Sequence, residues 1–379
     1  MIVFGALLLL LAIFGAPLFA LIAASALFSY YREDIELSAL AIEFFSIAEM
    51  PVLLAIPLFT FAGYLLSASK APSRLVRLTD ALLGWMPGGL AIVSLAACAF
   101  FTAFTGASGV TIIALGAILY PALKQSGYEP KFNLGLVTSA GSLGLLFAPS
   151  LPLILYGIVA GISIDTLIRA GVLPGMLMLA MLAGWCLWVN RGQKQTLKRF
   201  SWKTVGSALW ESKWELPLPI VVLGGIYSGY FAVSEAAAVT ALYALIVEVI
   251  VLREITFKQL PELMRESMLL VGGILVILGM SLASTNIMID TGVPQKLLGW
   301  VSGFVDTQTS FLILLLLFLL VLGAILDIFS ALVLVVPLIL PVAAQYNVDP
   351  VHLGKVFLSA MKLGYLTTPV ALNLFKASY

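Results

Sequence analysis

Two short patches interrupt apolar stretches of the chain, and each places oxygen-bearing side chains beside glycine or proline. The first reads Thr105-Gly106-Ala107-Ser108-Gly109 and is followed by Ala148-Pro149-Ser150-Leu151-Pro152. The second reads Gly323-Ala324-Ile325-Leu326-Asp327 and is followed by Thr367-Thr368-Pro369. Proline removes an amide donor and leaves a carbonyl free. Hard cations prefer oxygen, and unwound carbonyls supply it without net charge, as do the hydroxyls of Ser108, Ser150, Thr367 and Thr368 and the amide of Asn373. A lone hydroxyl in an apolar helix is as often packing glue, so the weight falls on the pairing. Interrupted segments at corresponding places in two halves are the best sequence pointer to a transporter's binding site; proline-kinked helices without a ligand are the alternative.

The ionisable groups near these patches are few. Asp327 stands in an apolar block, where a charge is costly unless it faces a cavity or partner, so it is a candidate ion ligand with a helix-terminus carboxylate as the alternative. Lys362 lies seven positions before Pro369. Three roles stand open for it: pairing with an acidic group of the substrate, supplying fixed charge where a further cation would bind, or snorkelling to an interface. Glu235, in Ser234-Glu235-Ala236-Ala237, reads as a cap on the following helix, with a proton relay as the alternative. His352, the only histidine, follows Asp349-Pro350 and is expected at the interface. Cys98 and Cys186 lie in apolar runs without CxxC or histidine companions, so neither a metal site nor a disulfide is expected. No HExxH, GxSxG or protease-like aspartate pair occurs, which argues against an enzyme and against an organic cofactor.

The elements that position these residues are membrane helices. Of 379 residues, 61% are hydrophobic and 10% charged, against about a quarter charged in soluble domains. With net charge +1 and basic residues in separate loops, the chain carries no nucleic-acid footprint. The N-terminus reads as a first membrane segment rather than a cleaved signal. Arg191, Lys194, Lys198, Arg199, Lys203 and Lys213 form the most basic stretch, which the positive-inside rule assigns to the cytoplasm. Residues 31–49 form an acidic loop, expected outside. The segments Lys70 to Trp85 and Arg253 to Glu266 carry charges at helical spacing and are expected to be amphipathic arms at the interface.

The block 89–121 is 33 residues, or about 50 Å as one helix, against a hydrocarbon core of about 30 Å. Two half-helices that meet at the Gly106 patch and return to the same side solve the mismatch, since non-helical backbone at that depth is tolerated only inside protein or beside a cavity. A shift of 220 positions superposes nine identities in the 29 residues from Pro121, and these include every proline of that window (Pro121, Pro130 and Pro149 on Pro341, Pro350 and Pro369). Lys362 then takes the place of Ser142. The expected fold is therefore an all-α polytopic membrane protein of two structural repeats, inverted if each half has an odd number of crossings. Each repeat is expected to hold a re-entrant helical hairpin and a broken transmembrane helix.

Over nearly its whole length the chain resembles the large membrane subunit of tripartite ATP-independent periplasmic (TRAP) transporters. The resemblance rests on Ile56-Pro57-Leu58-Phe59, Gly88-Gly89-Leu90-Ala91, Gly106-Ala107-Ser108-Gly109, Ala140-Gly141-Ser142-Leu143-Gly144 and Ala170-Gly171-Val172-Leu173-Pro174-Gly175. It continues through Gly225-Ile226-Tyr227-Ser228-Gly229, Ser234-Glu235-Ala236-Ala237, Asp349-Pro350-Val351-His352 and Thr368-Pro369-Val370-Ala371-Leu372-Asn373-Leu374. It implies a sodium-driven elevator in a bacterial inner membrane. The implied partners are a small membrane (Q) subunit, expected as a separate chain, and a soluble periplasmic binding protein. The implied substrate is a small organic anion: a dicarboxylate, sialic acid, other organic acid or sulfonate. The sodium ligands then fall among Gly106, Ser108, Gly109, Pro149, Ser150, Gly323, Asp327, Thr367 and Thr368. The substrate ligands fall among Ser108, Ser150, Lys362, Thr368 and Asn373. The family's tip commonly reads Gly-Ser-Ser and its breaks commonly carry two prolines; Gly106-Ala107-Ser108, Ala148-Pro149 and Thr368-Pro369 depart from that, which touches the ion stoichiometry. By the first repeat's length, a last membrane helix is expected to be missing from this sequence.

Five units are expected: scaffold helices and an arm in 1–88, a first transport half in 89–162, a linking helix and basic loop in 163–214, scaffold and arm in 215–310, and a second transport half in 311–379. The competing function is a binding-protein-independent sodium or proton/dicarboxylate symporter of similar plan.

Overall fold

The computed structural model describes residues 2–86, 88–106, 108–147, 149–191, 200–367 and 373. Among them every regular element is helical. The N-terminal block is divided at Gly15, which takes a positive φ of 84°, and Pro17 starts the next helix. The result is α1 (Ile2–Ile13) and α2 (Leu18–Arg32), held together by stacked Phe4 and Phe28 rings. The acidic stretch 31–49, expected as a loop, is largely helical: it takes in the end of α2, then α3 (Ser38–Ser46) and a short turn over Ile47–Glu49, and α4 (Ala55–Ala68) and α5 (Ala71–Leu83) follow. Then follow α6 (Gly89–Thr105), α7 (Ser108–Gln125), α8 (Pro130–Ala140), α9 (Leu151–Ala160) and α10 (Ile164–Val189).

Beyond the basic stretch lie α11 (Trp202–Glu211), α12 (Pro217–Tyr227), and α13 (Val233–Leu245), which continues as a π-helical turn over Ile246–Val251. The last elements are α14 (Leu260–Asp290), α15 (Val293–Val301), α16 (Gln308–Ile325), α17 (Ile328–Gln345) and α18 (Pro350–Gly364). Seven helices among the described residues are long and apolar enough to cross a membrane, or eight if the pair Pro130–Leu146 and Leu151–Ala160, bent by 42°, counts as one.

The expected breaks are present. α6 ends at Thr105 and α7 starts at Ser108, and α16 ends at Ile325 with α17 starting at Ile328. The ends of α6 and α16, both ends of α7 and α17, and the starts of α8 and α18 all lie 220 residues apart. Caps account for the starts in the second half: Thr307 Oγ1 accepts from Ser310 N, and Asp349 Oδ1 accepts from the amides of Val351 and His352. These side-chain acceptors satisfy donors that a helix N-terminus leaves orphaned.

An expected arm is also corrected. Lys70 to Trp85 does form an amphipathic helix, α5, but Arg253 to Glu266 does not form a separate arm. Arg253 turns at φ 54°, and Pro261 opens α14, a continuous helix of 31 residues; Glu262, Arg265 and Glu266 are the solvated face of its first turns. The other short amphipathic helices among the described residues are α11 and α15. In the interior, α4 packs on α13 and α14, and α14 on α2. Separately, α6 packs on α7 and α8, α16 on α18, α17 on α9, and α10 on α18.

Candidate functional site at two helix breaks

The first break is built around Gly106. Its φ of 64° is left-handed, and a Cβ there would fall 2.3 Å from Leu151 Cγ, so glycine is required by both conformation and space. The tip of α6 thereby sits on the start of α9, next to Pro149 and Ser150. Ser150, fully buried, caps α9 with extended backbone and donates its Oγ to Leu145 O at 2.6 Å. Ser108 and Gly109 open α7, both buried, and Ser108 Oγ donates to Asn373 Oδ1 at 2.9 Å. That bond joins the first break to a residue of the second half. Asn373 is 0% exposed, and its Nδ2 has no acceptor among the described residues.

The second break is closed differently. Asp327 has extended backbone, and its Oδ1 accepts from Phe329 N at 2.9 Å and Ser330 N at 3.1 Å. Its Oδ2 accepts from Ser330 Oγ, while Ile328 N donates to Tyr365 Oη. Asp327 is therefore the N-cap of α17, the helix-terminus reading. Gly323 lies against α18 so closely that a Cβ would stand 2.9 Å from Met361 O and 3.1 Å from Gly364 Cα. Thr367 Oγ1 donates to Gly364 O at 2.8 Å. Thr368 lies outside the described residues, as do Ala107, Ala148 and Pro369.

Lys362 is 2% exposed, and the only polar contact of its Nζ among the described residues is Met178 Sδ at 3.8 Å. It points into the α10 interface rather than snorkelling to a surface. One buried ammonium escaped the sequence reading: Lys355, two turns earlier, whose Nζ has no partner among the described residues. It lies so close to Gly171 of α10 that a Cβ there would be 2.7 Å from the Nζ. The signal was a second lysine seven positions before Lys362.

Also unread was a hydroxyl cluster behind the first break. Thr102 Oγ1 lies 2.7 Å from Cys98 O, 2.9 Å from Thr111 Oγ1 and 2.9 Å from Gly141 O, with Thr105 Oγ1 3.2 Å from Thr111 Oγ1. Thr102 has one proton for two carbonyls, so the cluster is rich in acceptors.

Glu235 accepts from Ala232 N at 2.9 Å as a cap, and His352 is exposed at the start of α18. A cavity of about 630 Å³ lies apart from both breaks, between the α9–α10 turn and the α12–α13 turn, with Glu49, Asp165 and Ser234 on its wall.

An all-helical chain with at least seven spanning helices among its described residues and two interrupted helix pairs in its interior is a multi-pass membrane protein. The chain belongs to the DctM component family of tripartite ATP-independent periplasmic transporters, whose family model matches residues 4–379.

Among relatives, an isethionate TRAP transporter permease protein of Oleidesulfovibrio alaskensis is 34% identical over 339 residues, 89% of this chain; the chain spans only 53% of that longer protein. A C4-dicarboxylate TRAP transporter large permease protein of Rhodobacter capsulatus is 31% identical over 396 residues, covering 100% of this chain and 89% of the relative. An ectoine/5-hydroxyectoine TRAP transporter large permease protein of Ruegeria pomeroyi is 30% identical over 327 residues, 86% of this chain and 76% of the relative. These relatives are permease proteins of transporters, not enzymes.

Proposed function

We propose that this chain is the translocating subunit for sodium-coupled uptake of a small organic anion across a bacterial inner membrane, working with a small membrane subunit and a periplasmic binding protein. The observation that carries the reading is the Ser108–Asn373 contact. It brings the start of α7 together with a residue from the far half of the sequence, and leaves the Asn373 Nδ2 as a buried donor without an acceptor among the described residues. An acid group placed there would accept from Asn373 Nδ2, which the Ser108 hydroxyl holds in place through Asn373 Oδ1, at the N-terminus of α7, where a helix favours an anion. Lys362 supplies the positive charge that a buried anion needs.

In this reading sodium is held in two cages, one of carbonyl and hydroxyl oxygen and one to which Asp327 adds a carboxylate. Gly106, Ser108, Gly109, Pro149 and Ser150 form one; Gly323, Asp327, Thr367 and Thr368 form the other. The common 220-residue offset of the helix boundaries supports two structural repeats, which in this reading are inverted, each with a re-entrant hairpin. Residues 89–162 and 311–379 then move as one body against the helices of 1–88 and 215–310 and carry the site with them, as an elevator. The names of relatives support dicarboxylates and isethionate as first substrates to try.

The test is uptake of labelled succinate and isethionate into proteoliposomes holding this chain, its small subunit and the binding protein. Uptake is expected only with an inward sodium gradient. Equal uptake with potassium in place of sodium, driven by a pH gradient alone, sinks the sodium reading, and full uptake without the binding protein favours the independent symporter.

A further inference from the structure

The short helix α5 is fastened to its neighbours by Arg74, whose surroundings hold more negative charge than one guanidinium balances. Nε donates to Glu215 Oε1 at 2.6 Å and Nη1 to Glu254 Oε1 at 2.5 Å. Nη2 lies 2.5 Å from Glu215 Oε1 but 3.7 Å from Glu248 Oε2. Glu248, in the π-helical turn after α13, is 0% exposed, and Glu215 is 4% exposed. Neither oxygen of Glu248 has a hydrogen-bond partner among the described residues, and neither does Glu215 Oε2.

The other polar groups that face this junction are committed elsewhere. Arg77 pairs with Glu211 at 2.8 Å, and Lys70 offers only its backbone amide, 2.7 Å from Glu254 Oε2. Tyr243 Oη donates to Trp214 O, and Ser69, which also faces the Glu248 carboxylate, gives its one hydroxyl proton to Leu66 O. With all three carboxylates ionised, the junction carries two uncompensated negative charges in a place largely closed to water. Burial of an unpaired charge is expensive, and such groups neutralise instead. Two kinds of positive charge are available. A metal ion needs converging ligands, and no three acidic side chains among the described residues stand in such an arrangement. A proton needs no coordination sphere. On Glu248 it removes the charge that Arg74, already bonded to Glu215 and Glu254, meets only at 3.7 Å.

We propose that the Arg74–Glu215–Glu248–Glu254 cluster is a proton-binding site, with the proton carried by Glu248. The proton comes from bulk water and returns there, and no other bond changes. The site lies beside α11, on the side of the basic stretch, which the positive-inside rule places in the cytoplasm. α5 also packs on α6 and α7, so the proton tightens the joint between the first helix break and α13. Release of the proton leaves Glu248 a buried anion and loosens that joint.

The experiment uses the purified full chain in lipid nanodiscs. The infrared difference spectrum between acidic and alkaline buffer is expected to hold a protonated-carboxyl C=O band that disappears in Glu248→Gln and stays in Glu262→Gln, an exposed control. Because the folded state binds the extra proton, the thermal midpoint of the wild type should fall as pH rises. Glu248→Gln should hold the low-pH midpoint throughout. Where that variant fails to fold, Glu215→Gln and the wild-type titration carry the same test. Three results overturn the proposal: a band unchanged in both glutamine variants, a pH slope unchanged in both, or a wild-type midpoint that depends on sodium against choline at fixed pH rather than on pH.

Discussion

Behind the first helix break stand Thr102, Thr105 and Thr111, while the same places 220 residues later hold Leu322, Ile325 and Ala331. The second half carries Asp327, Lys355 and Lys362 where the first half has only small residues, Ala107, Gly135 and Ser142. The backbone boundaries coincide, yet at these matched places one half is neutral and rich in hydroxyl oxygen, and the other carries charge. A backbone arrangement that serves twice does not oblige the chemistry to repeat. Neutral oxygens suit a cation that arrives and leaves; a buried ammonium suits an anion, because it is costly until one is present.

The sharpest way to break that contrast is Lys362→Met. Uptake should drop at least about tenfold, while the thermal midpoint rises, because an unpaired buried charge is costly and an apolar side chain of similar volume removes that cost. Wild-type uptake in a folded Lys362→Met protein would strip the second half of its distinguishing charge. A smaller effect is expected at the first tip. Gly106→Ala should destabilise by about 1–3 kcal/mol through the left-handed backbone alone, with more from the clash at Leu151; unfolding in detergent measures it, and an unchanged midpoint would mean the tip is not held as described. Smallest is Thr102→Val, which leaves Gly141 O and Thr111 with one partner fewer and should cost about 1–2 kcal/mol. If instead the valine variant is as stable as wild type and its sodium dependence is unaltered, the hydroxyl cluster is packing and the two halves differ less than their residues suggest.

Both breaks were legible in the sequence because glycine and proline mark them directly, and the Glu235 cap because serine and glutamate precede an apolar run. Charge spacing misled at Arg253 to Glu266: helical periodicity says that a segment is helical, not where its helix begins or whether it joins the next. Asp327 illustrates a different limit. A lone carboxylate in an apolar block is expected to have a partner, and sequence cannot tell an ion from the first amides of its own helix. The Thr102 cluster was hidden because threonine is ordinary in membrane helices. The Arg74 junction was hidden because its hydrogen-bonded partners lie 141 and 180 positions away, and nothing local announces such a meeting.

At Gly323 and Gly364 the chain brings α16 and α18 together with no side chain between them, so backbone touches backbone. Side chains are the compressible part of a protein contact: they change rotamer and absorb small shifts. Where they are missing, there is no slack to take up. A displacement at the end of α18 is then delivered to the tip of α16 undiminished, as through a welded joint rather than a sprung one, and whatever grips the end of α18 also steers the tip.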